Sequence, residues 1–274
     1  MQKSTNNDVI WIDTVDSTND EAKRRIHSLH HLSVISAYQQ TSGRGQRGNS
    51  WSSEKGMNLT FSIVLKYGTE GFGDLAPSNQ FIISKYASLA VIEFLKTYGI
   101  EAKIKWPNDI YVKDKKIAGI LIEHALQGGT MAYSIIGIGL NSNQTVFDSD
   151  LFNPTSIRLE AHDSASLDLK DALVEFLNIF KDITEHKTAF EIDRLYHSSL
   201  WRLDVESTFI DYTNLPTGYH EGPITPSQTS NSIPYSIEFS GTIRGVSSIG
   251  ELLVEDANTS IIRRFNFKEI SYII

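Results

Sequence analysis

The stretch Gly43-Arg44-Gly45-Gln46-Arg47-Gly48-Asn49-Ser50-Trp51 constrains this chain more than any other. It separates two apolar runs of strand length, residues 34–38 and 57–65, and is read as the loop that joins two strands. Three glycines admit tightly bent or left-handed backbone and let a ligand come close. The two arginines between them are permanently charged, forked donors that match carboxylates and phosphates. Trp51 closes the loop with a flat apolar face. The combination predicts an anionic ligand under an aromatic cover; the plain alternative is an exposed basic hairpin loop.

The spacing Gly43-x-Gly45-x-x-Gly48 also satisfies the dinucleotide fingerprint, but that reading is rejected. No helical pattern follows the last glycine, and no acidic residue ends a second strand about 20 residues further on. A phosphate-binding P-loop fails for want of Gly-Lys-Ser/Thr, and a kinase-type loop lacks its downstream catalytic sequence. The eight histidines fall in no metal-ligand spacing.

The totals narrow the function classes. At 274 residues the chain is long enough for one large domain or two smaller ones. Its 25 Lys and Arg against 33 Asp and Glu leave a net charge of −8, which argues against a general nucleic-acid binder, because phosphate contacts need a basic face. Zero cysteines exclude disulfides, thiolate zinc sites and a cysteine nucleophile. The first eight residues are polar, with no signal-type apolar region, and no apolar run reaches the roughly 18 residues of a membrane span. The expectation is a soluble, cytoplasmic protein without membrane attachment.

Along the chain, residues 9–12 read as a strand leading to Ser17-Thr18-Asn19. Thr18 with Glu21 matches a capping box, and Ala22, Ile26 and Leu29 continue at helical spacing. These three polar residues would then stand at a helix N-terminus, where free N–H groups bind polar ligands, although plain capping is their commoner use. Residues 78–98 carry a helical apolar stripe stopped by Gly99, and a second one runs through Leu169, Ala172, Leu173, Phe176, Leu177, Phe180 and Ile183. Between them, Lys105-Trp106-Pro107-Asn108-Asp109 breaks a strand with turn chemistry, and a charged hairpin turn precedes the apolar run that Lys116 begins. Lys116 is either a snorkelling edge residue or one aimed into a site. Residues 132–140 read as a buried strand whose alternating Gly137 and Gly139 imply close approach of backbone or ligand, with Asn141 at its end. From residue 201 the texture changes to short β-rich runs around a Pro/Gly/Ser/Thr/Asn-rich segment, residues 213–232, which predicts a small all-β unit of five or so strands.

Taken together, these motifs resemble the biotin protein ligases of the biotin–[acetyl-CoA-carboxylase] ligase type. Ser17-Thr18-Asn19, Gln40, the Gly-Arg-Gly loop ending in Trp51, Lys105-Trp106-Pro107-Asn108-Asp109, Lys116-Ile117-Ala118-Gly119-Ile120-Leu121 and Gly137-x-Gly139-x-Asn141 occur in family order. Residues 267–270 extend the resemblance weakly. It implies an α+β (mixed) fold: a central mixed sheet flanked by helices, of the class II aminoacyl-tRNA synthetase and biotin ligase kind, over residues 1–200. A small C-terminal SH3-like barrel would occupy residues 201–274.

It also implies an ATP-dependent ligase that makes biotinyl-5′-AMP and passes biotin to a lysine of a biotin carboxyl carrier domain. The substrates would be biotin and ATP, with Mg²⁺. The implied biotin contacts are Ser17, Thr18, Asn19, Gln40, Gly43, Arg44, Gly45, Gln46, Lys116 and Gly119. Those to ATP are Arg44, Arg47, Trp51, Lys105, Asn108 and Asn141. Lys116, Arg44, Arg47 and Asp109 would serve the chemistry, with Asn108 and Asp109 the candidate magnesium ligands. Gln46 and Asn49 depart from the arginines that such loops often carry. No winged-helix segment precedes the signature, so neither repression nor nucleic-acid binding is expected, and a homodimer is left open. The alternatives are a lipoate- or octanoate-type acyl ligase and a non-catalytic biotin binder.

Overall fold

A computed structural model describes residues 9–69, 71–162, 165–213 and 237–273. Among the described residues, twelve strands fall in two sheets, one of seven strands and one of five. The larger holds β1 (Val9–Val15), β2 (Val34–Gln40), β3 (Leu59–Lys66), β4 (Lys103–Lys105), β5 (Asp109–Val112), β6 (Lys115–Gln127) and β7 (Thr130–Leu140), in the order β1-β2-β3-β7-β6-β5-β4. Only β1 and β2 run parallel; the other neighbours are antiparallel, so the sheet is mixed. The helices are α1 (Thr18–Arg24), α2 (Phe81–Thr97), α3 (Ile157–Glu160), α4 (Leu169–His186) and α5 (Ala189–Ser198). The α+β expectation holds.

Strand alternation decides which face carries chemistry. On β3, Phe61, Ile63 and Leu65 pack with residues of α2 and α4 in the main core, where Phe61 meets Phe176 edge-on at 5.1 Å. The residues between them face the other way. Val64 joins Ala22, Leu29, Ile35 and Ile135 in a smaller cluster under α1, while Ser62 reaches Thr18 and Asn19. β7 repeats the pattern: Ile136, Ile138 and Leu140 turn to the core, and Gly137 and Gly139 to the α1 side. One face of the sheet is thus a packed hydrocarbon layer, and part of the other is lined with hydroxyls and glycines.

Two helix starts carry side-chain caps, and one expected cap is missing. Asp168 caps α4 by accepting from Lys170 N and Asp171 N, and Thr188 with Glu191 forms a capping box on α5. The box expected at Thr18 and Glu21 does not form. Ser17 is the N-cap, Thr18 is spent on Gln40 and Ser62, and Glu21 pairs with Arg24 and Arg25. Tertiary partners have outbid the local one.

The expected C-terminal β unit is a five-stranded antiparallel sheet ordered β11-β10-β9-β8-β12, from β8 (Glu206–Asp211), β9 (Ile237–Val246), β10 (Leu252–Asp256), β11 (Ile262–Phe265) and β12 (Ile270–Tyr272). Most of the polar segment at residues 213–232 lies outside the described residues. The two sheets share one apolar core: Phe209, Leu252, Val254, Phe265 and Tyr272 belong to the same buried cluster as Ile104, Tyr111 and Trp201. Trp106 Nε1 donates to Gly250 O at 2.9 Å and Trp201 Nε1 to Lys113 O at 2.7 Å, fastening the β4–β5 hairpin to the smaller sheet. Among the described residues, no helix is long and apolar enough to cross a membrane.

Candidate functional site

A cavity opens on the polar face of the larger sheet. Its floor is set by register: Gly119 of β6 pairs with Gly139 of β7, and Leu121 with Gly137. Each glycine makes room for a particular neighbour. A Cβ on Gly137 would collide with the carboxamide of Asn19, and one on Gly139 with the indole of Trp51. A Cβ on Gly119 would also crowd the same indole, at 3.1 Å. The alternating glycines read from the sequence are therefore explained by side chains seated on them.

The wall is the start of α1. Thr18 N donates to Gln40 Oε1 at 2.8 Å, and Ser62 Oγ lies 2.8 Å from Thr18 Oγ1 and 2.6 Å from Asn19 Oδ1. Ser17, Thr18 and Asn19 are all buried. These side chains bond to one another and to Gln40 rather than capping the helix.

The flap folds over the floor. Its backbone closes through Trp51 N to Gly43 O at 2.8 Å and Gly45 N to Asn49 O at 2.7 Å, around a 3-10 turn at Gln46–Gly48. Gly45, Gln46, Asn49, Ser50 and Trp51 line the cavity. The Trp51 Nε1 is buried with no hydrogen-bond partner, a polar atom that desolvation makes costly. Arg44 also lines the cavity, yet its Nη2 is held 2.8 Å from Asp20 Oδ1 and 2.7 Å from Glu123 Oε2.

Across from the wall stands Lys116, its Nζ 2.7 Å from Asp109 Oδ1 and 5.8 Å from the centre of the Trp51 ring. The cavity-lining reading of this lysine, not the snorkelling one, is the one realised. Asn108 lines the cavity as well, its Nδ2 bonded to Ile120 O at 2.7 Å, so that its remaining polar atom is an acceptor. Among the described residues, no group of three His, Asp or Glu is placed to hold a metal ion.

Of the residues expected at the site, Ser17, Thr18, Asn19, Gln40, Arg44, Gly45, Gln46, Trp51, Asn108, Asp109, Lys116 and Gly119 line this one cavity. Gly43 sits just behind it, where a Cβ would strike Trp51 O. The side chain of Arg47 lies outside the described residues. Two expectations need correction. Lys105 points away: its Nζ lies 4.6, 5.8 and 5.4 Å from the ring centres of Tyr111, Trp201 and Tyr272, and donates to Tyr111 Oη at 3.1 Å. Burial among these rings pushes its ammonium down to about 8, with Asp109 acting the other way and Lys116 and Arg202 reinforcing the fall. Asn141 does not line the cavity either. It is 5% exposed, and its Nδ2 donates to Thr155 O at 2.9 Å.

The sequence reading overlooked Glu123, Asp20 and Ser62. A carboxylate at the end of the apolar β6 run was the available signal for Glu123.

A mixed sheet, a glycine-arginine flap and a lysine facing a polar helix start thus meet around one cavity. Residues 11–141, which contain every one of these parts, match the biotin/lipoate A/B protein ligase family. Among known proteins, the chain is 32% identical over 153 residues to the bifunctional ligase/repressor BirA of Salmonella typhimurium, covering 56% of this chain and 46% of that one. It is 35% identical over 122 residues to the human biotin–protein ligase, covering 43% of this chain and 17% of the human one. The matched region thus spans less than half the length of these curated relatives. A solved biotin protein ligase from Aquifex aeolicus, in complex with biotin and ATP, superposes with a TM-score of 0.67 at 25% identity, covering 96% of this chain and 97% of that structure.

Proposed function

We propose that this protein is a biotin protein ligase. It would join biotin to ATP as biotinyl-5′-AMP, then pass the biotinyl group to a lysine of a biotin carboxyl carrier domain of the acetyl-CoA carboxylase type. The observation that carries the reading is the convergence on one cavity of Lys116, the Ser17-Thr18-Asn19 wall, Gln40 and the flap.

In the first step a biotin carboxylate oxygen bonds to the α-phosphorus, and the bond to pyrophosphate breaks. Two anions must be brought together, so the protein's task is positioning and charge neutralisation rather than nucleophilic catalysis. Lys116 lies at the cavity edge to meet the carboxylate and the bridging phosphate oxygen, releasing Asp109 as it does so. Arg44, and Arg47 of the same flap, would supply further positive charge, and Trp51 would leave the glycine floor to cover the nucleotide. In the second step the acceptor amine attacks the biotinyl carbonyl, the bond to AMP breaks, and the amine gives up a proton for which Asp109 is the nearby base. Magnesium, when bound, would screen substrate phosphates. Asn108 and Asp109 offer one carboxylate and one amide oxygen, which suits a cation held mainly by the nucleotide. On this reading residues 1–200 form the catalytic unit and residues 201–274 the small β unit, within a cytoplasmic enzyme.

The test is incubation with biotin, MgATP and a carrier domain, scored by mass gain on one lysine. No biotinylated lysine refutes the proposal, and preferential transfer of lipoate or octanoate in competition would replace it with the acyl-ligase reading. Tight biotin binding without ATP–pyrophosphate exchange would mark a non-catalytic binder.

A further inference from the structure

Three cationic or amide donors converge on one carboxylate that stands outside the cavity lining. Glu123 Oε2 accepts from Asn19 Nδ2 at 2.9 Å and from Arg44 Nη2 at 2.7 Å, and Oε1 from Lys23 Nζ at 2.6 Å. Burial alone would push the Glu123 carboxyl up, but the hydrogen bonds from Lys23 and Asn19 and the charge of Arg44 outweigh it and hold the group ionised. Glu123 occupies β6 opposite Ile135, on the α1 side of the sheet and four residues beyond Gly119. Through Asn19 it touches the wall, and through Arg44 the flap.

The consequence for Asn19 is geometric. Its Oδ1 already accepts from Ser62 Oγ at 2.6 Å, so a donor-facing carboxylate on the other side fixes which way the amide points. Arg44 is constrained in the same way. A guanidinium on a glycine-flanked loop would sample many positions, and two carboxylates restrict it to the cavity rim. Lys23 offsets the charge of Glu123 on the solvent side.

We propose that Glu123 is a positioning residue of this site, setting the Asn19 carboxamide in the cavity wall and the Arg44 guanidinium at its rim in the geometry that receives biotin. This rests on the ligase reading. It predicts that Glu123 acts on substrate capture more than on chemistry, since it touches neither the reacting atoms nor Lys116.

The experiment is ATP–pyrophosphate exchange measured against biotin concentration for the wild-type protein, Glu123→Gln, Arg44→Met, the double variant and Asp20→Asn. Glu123→Gln keeps the shape but turns an amide N–H₂ toward one of three donors. Loss of one charge-assisted hydrogen bond corresponds to a biotin KM raised by about tenfold or more, with kcat within about threefold. The double variant should be little worse than Arg44→Met alone, because the two residues act as one unit. Asp20→Asn should leave the biotin KM within about twofold, since Glu123 still holds both partners. An unchanged KM in Glu123→Gln, strictly additive effects with Arg44→Met, or an Asp20→Asn defect as large as that of Glu123→Gln would each overturn the proposal. A fall in kcat and melting temperature at constant KM would also overturn it, by assigning Glu123 a purely structural role. Should Glu123→Gln lose cooperative melting, Glu123→Asp carries the test: a several-fold rise in KM supports the proposal and a wild-type KM overturns it. Absence of exchange in the wild-type protein would sink the ligase reading and this inference together, whereas exchange with an indifferent Glu123→Gln would sink the inference alone.

Discussion

Asp109 stands between two lysines that the sequence places on the same hairpin but that the fold treats in opposite ways. Lys116 faces the cavity, is paired with the Asp109 carboxylate at 2.7 Å and keeps about a third of its side chain in water. Among the described residues, Lys105 has no carboxylate within ion-pair distance. Its ammonium is ringed by Tyr111, Trp201 and Tyr272, the last from the smaller sheet. The same residue type is a paired, partly hydrated cation on one face and a desolvated one on the other. What separates them is which partners the tertiary structure brings, and the variants below test that contrast.

Lys116→Ala should have the largest effect. If Lys116 meets the substrate anions as proposed, its removal should slow adenylate formation by about a thousandfold, on the order of 4 kcal/mol of transition-state stabilisation. The melting temperature should move little, because the pair is partly exposed. Near-wild-type exchange would remove Lys116 from the chemistry.

Lys105→Met comes next and acts on stability. The folded-state value of about 8 lies below the ordinary lysine value of 10.5, so between these the unfolded chain binds more protons than the folded one. Stability of the wild-type protein should therefore rise with pH across that window, by up to about 3 kcal/mol relative to Lys105→Met. Lys105 is only partly buried as a whole residue, but the rings dry its charged end, so desolvation acts where it counts. At neutral pH the methionine variant should be the more stable. Denaturant melts of both proteins at pH 7 and pH 10 check this, and a difference that does not change with pH defeats it.

Gly139→Ala should cost about 2 kcal/mol or force Trp51 off the floor, since overpacking of a filled site strains its neighbours. Tryptophan emission shifted to longer wavelength, with biotin retained less well, is the expected outcome; an unchanged spectrum would contradict the seating of the indole. Tyr272→Phe is the mildest. The Tyr272 hydroxyl is buried without a hydrogen-bond partner, so its removal should be neutral or stabilising, within about 1 kcal/mol. A loss larger than that would reveal a partner for the hydroxyl.

The same contrast explains what could be read in advance. Segments whose function lies in their own loop or helix start were legible: the flap, the residues at the head of α1, and Lys116 at the mouth of an apolar strand all reached one cavity. Residues whose direction depends on distant partners were not. Lys105 turns toward aromatic rings as far along the chain as residue 272, and no local pattern marks that. Asn141 ends its strand as expected, but the carbonyl of Thr155, in a connection without periodicity, takes its amide. Thr18 and Glu21 have the spacing of a capping box and lose it to Gln40, Ser62 and two arginines. Glu123 was visible only as a charge ending a hydrophobic run; its three donors come from two other elements.

The indole of Trp106 closes its hydrogen bond to a carbonyl 144 residues further along the chain. The turn that presents Asp109 therefore leans on backbone synthesised long after it. Synthesis runs from the N-terminus, and contacts of such sequence separation form late. A nascent chain can hold the flap, the head of α1 and Lys116 in place well before the support for Asp109 exists. The surroundings of Asp109 should consequently be complete only once the smaller sheet has folded, and not with the segment that carries the motifs alone.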